Sequence, residues 1–127
     1  MATHDERAEA AWKARDILAV ALALDLDAPE EVARLARLAL GELSLAAPET
    51  TVDTERYDGF RAEGHLLAAL SLLWRIELSA RSRVDDPLDD TNRRGVLDEV
   101  LAVLDCCAGK TPRGLPMDAV RMQRGIR

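Results

Sequence analysis

Apolar positions recur at helical spacing through most of this chain, and in two places they spread around the whole helix. The stretch Leu66-Leu67-Ala68-Ala69-Leu70-Ser71-Leu72-Leu73-Trp74 is apolar on every side, with Ser71 its single interruption. Ile17 to Leu24 is a second all-apolar run, of eight residues. A surface helix carries one apolar stripe and one polar face. These two segments lack the polar face, so other helices are expected to surround them.

Four helices follow from the pattern. The first is expected from Asp5 to Leu24 or Leu26, with Asp5, Glu6 and Glu9 at its positive end. Ala10, Ala14, Ile17, Ala21 and Leu24 form its stripe. Asp27 and Glu30 make a capping-box-like pair, and Pro29 stands in the first turn of a second helix reaching Leu45. Its stripe is Val32, Leu35, Ala36, Ala39, Leu40 and Leu43, and Glu30 with Arg34 is an i,i+4 ion pair. A loop from Ala47 to Thr54 precedes a third helix over 55–83, capped by Asp53 or Thr54. Gly59 and Gly64 weaken its first half and mark a place for a bend. Glu77 pairs with Arg81 on this helix and reads as solvated. The fourth helix, from Thr91 to Cys107 and capped by Asp90 or Thr91, carries Leu97, Val100, Leu101, Leu104 and Cys107, widened by Val96 and Val103. Ala108-Gly109 stops it. The fold class is therefore all-α: a four-helix bundle over residues 1–109, then a basic tail over 110–127 in which Pro116 to Arg124 is a candidate short fifth helix.

Composition agrees. The 127 residues are 48% apolar and 31% charged, which suits one globular domain. Trp12, Trp74, Tyr57 and Phe60 are the whole aromatic complement, so the core is built from Leu, Ala, Val and Ile. A domain of this size has little interior for two segments that are apolar all round. Either one helix is central and ringed by the others, or a face of helices one and three closes against a second molecule, in an isologous homodimer, the commonest way, or as a subunit of a larger complex.

The net charge of −6 is uneven. Residues 1–109 hold 12 of the 17 basic and 22 of the 23 acidic residues, a balance of −10; residues 110–127 hold 5 basic and 1 acidic, a balance of +4. An acidic body is repelled by phosphates, and no helix presents the row of Arg, Lys, Asn and Gln that reads bases. Nucleic acid is thus an unlikely partner. The basic tail either folds back on its own acidic body or docks elsewhere: Lys110, Arg113, Arg121, Arg124 and Arg127 are the candidates for contact with a neighbouring subunit or another acidic partner, or for phosphate contacts in a nucleic-acid accessory protein. The apolar runs are too short to span a membrane, and no basic leader precedes them. Two adjacent cysteines, Cys106 and Cys107, make no disulfide framework, so a soluble, cytoplasmic protein with reduced thiols is expected.

Candidate chemistry is sparse. Asp85, Asp86, Asp89 and Asp90 place four carboxylates in six residues, weak candidates for a divalent metal. The order of residues is not that of an EF-hand, and a solvated loop capping the fourth helix is the plainer reading. His4 and His65 are the only histidines and form no zinc or di-iron pattern; His65 reads as a core-edge residue. Cys107 lies on an apolar stripe, and Asp105 disfavours a thiolate at Cys106. No catalytic or cofactor-binding residue emerges. The expected role is a non-catalytic interaction or assembly subunit: accessory, inhibitor or immunity-type, or phage-type. The alternatives are a small helical enzyme or ligand binder with a divalent metal at the acidic loop, and a nucleic-acid accessory protein acting through its tail.

Overall fold

In a computed structural model, which describes residues 3–24 and 28–110, the chain forms four α-helices and, among those residues, no strand. They are α1 (His4–Ala23), α2 (Pro29–Glu42), α3 (Gly59–Arg81) and α4 (Asp89–Cys107). The candidate fifth helix, and Arg113, Arg121, Arg124 and Arg127, lie outside the described residues, as does Asp27.

Each helix start has a local cause. Thr3 caps α1, its side chain accepting from the Glu6 N–H at 3.1 Å. Ala28 precedes α2 without a side-chain cap, and Pro29 opens the helix, where its missing N–H leaves nothing unpaired. Asp58, not Asp53 or Thr54, caps α3 by accepting from the Arg61 N–H at 3.1 Å. Asp53 is used earlier: its Oδ1 accepts from the N–H groups of Glu55 and Arg56 and closes a separate turn. Gly59 therefore stands at the first position of α3, and the helix runs through Gly64 unbroken. At α4 neither Asp90 nor Thr91 caps; Leu88 holds the cap position, and Asp86 accepts from its N–H at 2.8 Å.

Three helices end alike. Beyond α2, α3 and α4 the chain turns through a positive φ at Ser44 (57°), Arg83 (56°) and Gly109 (70°). The next N–H in each case returns to the helix: Leu45 to Leu40 O, Val84 to Ser79 O and Lys110 to Asp105 O. This is the Schellman motif, which satisfies carbonyls left open at a helix end. Only at Gly109 is a side chain also excluded by space, since a Cβ there would lie 2.5 Å from Arg56 Cβ.

The helices pack around a ring in the order α1, α2, α4, α3. Arg15 reaches Glu77 and Arg7 reaches Asp89, so α1 runs antiparallel to α3 and begins where α4 begins. Arg93 donates to the Leu43 carbonyl, placing the start of α4 at the end of α2. The Asp53 N–H donates to Cys107 O at 2.9 Å, so the crossover from α2 to α3 climbs to the far end of α4. Every neighbouring pair is antiparallel, and the parallel pairs stand diagonally opposite. The all-α four-helix arrangement expected from the pattern is the one observed.

One core fills the centre. Leu18, Leu40, Leu73, Val96, Val100 and Val103 are fully enclosed. The α2 stripe is buried throughout, as its spacing indicates. In α1 the inward line is Ala8, Ala11, Ala14, Leu18 and Ala21, and Ala10, Ile17 and Leu24 sit at its border. In α4 the line is Val96, Val100, Val103 and Cys107, with Leu97 and Leu101 half-buried. No helix among the described residues is long and apolar enough to cross a membrane.

Candidate functional site

The outward sides of α1 and α3 form one apolar face. On α3 Phe60, Leu67, Ser71, Trp74 and Leu78 are exposed, spaced so that they fall along one side of the helix. On α1 Trp12, Asp16, Ala19 and Ala23 do the same. Trp12, Leu67, Trp74 and Leu78 are each about half exposed, and Phe60 nearly fully. Exposed apolar residues scattered singly are ordinary on a protein surface; these are aligned along one side of each helix. The all-apolar run of α3 thus has two sides: Leu66, Ala69, Leu72, Leu73 and Ile76 enter the core, and Leu67, Trp74 and Leu78 do not.

A charged clasp holds this face. The Arg15 guanidinium lies over the Trp74 ring, 5.0 Å from its centroid, and its Nη2 is 2.9 Å from Glu77 Oε1. Arg81 Nε donates to Glu77 Oε2 at 3.0 Å. Glu77 is only 4% exposed, which corrects its reading as a solvated residue; the expected pair with Arg81 is present, but it is buried and shared with α1. A cation over an indole contributes about 0.5–1 kcal/mol at such a site. Its further effect is to hold the Trp74 ring in one position on the surface of the bundle.

The acidic loop is dispersed. Asp85 is exposed and pairs with His4 Nε2 at 3.0 Å, with Arg7 Nη2 at 3.7 Å. Asp86 accepts from Ser79 Oγ at 3.2 Å and from the Leu88 N–H. Asp89 accepts from Arg7 Nη1 at 2.7 Å, and burial holds its carboxyl above the ordinary range against the pull of Arg7. Asp90 lines a cleft of about 370 Å³ with Arg7, Asp89, Arg93 and Glu42 at one end of the bundle. Among the described residues no three His, Cys, Asp or Glu side chains converge to hold a metal. Of the tail candidates only Lys110 is described; it is exposed beside the crossover at the end of α4. On α2, Arg34 pairs with Glu31 rather than Glu30.

Two polar groups sit deeper than the pattern indicates. His65 is 2% exposed, and its Nδ1–H donates to Glu99 Oε2 at 2.6 Å, across the α3–α4 contact. The opposite ring nitrogen has no hydrogen-bond partner among the described residues. The hint in the sequence is Glu99 itself, three residues after Val96 and four before Val103 on an inward stripe. Without the partner, 34 positions away, it reads as a flank residue.

Cys106 and Cys107 are both buried, and burial pushes the thiols up to about 11 and about 12. Both stay protonated at neutral pH, which removes the nucleophile. A thiol reagent at neutral pH is expected to label neither in the native protein and both in urea; rapid native labelling would contradict this. The unfolded chain loses these protons from pH about 8.5, where the folded chain keeps them. Folding stability is therefore complete below that pH and falls as pH rises toward 11–12.

The chain matches no protein-family model, no curated protein and no solved structure.

Proposed function

We propose that this protein is a non-catalytic interaction or assembly subunit that docks through the α1–α3 face. The supporting observation is the apolar ridge of Trp12, Leu67, Trp74 and Leu78, with Trp74 positioned by Arg15. Aromatic side chains in fixed rotamers beside an arginine are the composition of an interface centre. Elsewhere on the bundle several charged groups form local pairs, such as Arg7 with Asp89 and Arg37 with Glu49. In this reading the protein works in the cytoplasm, where its two thiols remain reduced.

A photo-crosslinking residue placed at exposed Ser71, in the centre of the ridge, tests it in cells that make the protein. A discrete protein adduct at position 71 is expected, with none from the same residue placed at exposed Asp98 on α4. No adduct at 71, or equal adducts at both positions, would remove the proposal.

A further inference from the structure

We infer that the occupant of this face is a second copy of the chain, related by a two-fold axis parallel to the bundle, so that α1 of each protomer lies against α3 of the other. The inference rests on the docking role proposed for the α1–α3 face.

Shape is the first argument. The two halves of the face are unlike. α3 presents bulky side chains, Leu67, Trp74 and Leu78, with Phe60 at its start. Beyond Trp12, α1 presents small ones, Ala19 and Ala23, with Val20 one turn past Asp16 at the outer edge of the row. A two-fold axis along the bundle sets the bulky row of each protomer over the small row of the other, ridge into groove. An axis across the helices pairs α1 with α1 and α3 with α3. Small then meets small and bulky meets bulky, which leaves a gap on one side and crowding on the other.

Charge is the second. Asp16 lies at the outer edge of the α1 row and Arg75 at the outer edge of the α3 row, both exposed. Neither has an ion-pair partner among the described residues of its own protomer. Their heights agree: Arg15 contacts both Trp74 and Glu77, so Asp16 stands level with Arg75 along the bundle. An axis parallel to the bundle preserves height. It brings Asp16 of each protomer to Arg75 of the other, twice per dimer, at the rim. The crossed arrangement sets α1 on α1 and α3 on α3, so it does not bring Asp16 to Arg75.

Charge reversal on the full chain decides the matter, read by sedimentation equilibrium with helicity checked for every variant. Wild type is expected to dimerise at micromolar concentration, and Leu67→Glu to be monomeric. Asp16→Arg alone sets like charges together at both rims, as does Arg75→Asp alone; each is expected to weaken the dimer roughly tenfold. Mixing the two single variants is expected to give a heterodimer stronger than either homodimer, because both rims are then opposite in sign. A dimer abolished by Leu67→Glu but indifferent to the reversals overturns the α1–α3 pairing. A dimer unaffected by Leu67→Glu overturns this face as its seat. A monomeric wild type overturns the second copy. In that case a Ser71 adduct with a different protein still supports the docking role, and no Ser71 adduct ends both.

Discussion

Leu73→Ala is expected to cost about 2–5 kcal/mol of folding stability, the largest loss of any single truncation on α3. Leu73 is fully enclosed at the centre of the ring of helices, so its removal leaves a void that close-packed neighbours fill only in part. Trp74, one residue on, points the other way, and Trp74→Ala is expected to lose about 1 kcal/mol, mainly the contact with Arg15. The larger side chain thus matters less to the fold. Urea unfolding at a concentration where the protein is monomeric checks both. A Leu73→Ala midpoint close to wild type, or a Trp74→Ala loss as great as that of Leu73→Ala, would contradict the division of α3 into an inner and an outer side. A one-residue step on a helix turns the side chain by about 100°, which is how adjacent apolar residues come to serve different ends.

The second large effect is expected at the His65–Glu99 pair. Glu99→Ala strips the acceptor from His65 Nδ1 inside the α3–α4 contact, where water does not replace it. A loss of about 3 kcal/mol follows from leaving a buried polar group unsatisfied. Changing both residues, His65→Leu with Glu99→Met, removes the polar atoms together and is expected to be less harmful than Glu99→Ala alone. Equilibrium unfolding of the two single variants and the double variant gives the coupling between them. Additive losses would show that the short contact does little to stabilise the fold.

Legibility differed by helix. The α2 start and stripe are readable because its polar and apolar residues are cleanly separated and Pro29 marks the start; its end is not, since α2 stops at Glu42 and the chain turns through positive φ at Ser44, short of the expected Leu45. In α1 nearly every residue after Arg15 is apolar apart from Asp16, so spacing alone does not choose the inward side. Alanines take that side, since small residues let α1 approach its two neighbours closely, and Ile17 and Leu24 are displaced to the border. Spacing does not choose the start of α3, because Asp53, Thr54 and Asp58 are all competent caps; Asp53 is consumed by its own turn and Asp58 takes the role. The depth of Glu77 is not legible in the sequence, because Arg81 stands four residues away on the same helix, whereas Arg15 comes from another helix.

Helix content, the number of helices and the surplus of apolar surface are local properties, written in propensity, caps and periodicity, and they could be taken from the residues in order. Which side of an all-apolar helix turns inward depends on neighbours brought together from far along the chain. So does the choice of charges to be buried in pairs, such as Glu99 with His65 and Glu77 with Arg15. That surplus lies along one side of α1 and α3 because the bundle has a single interior, and each of its helices can turn only one side toward it.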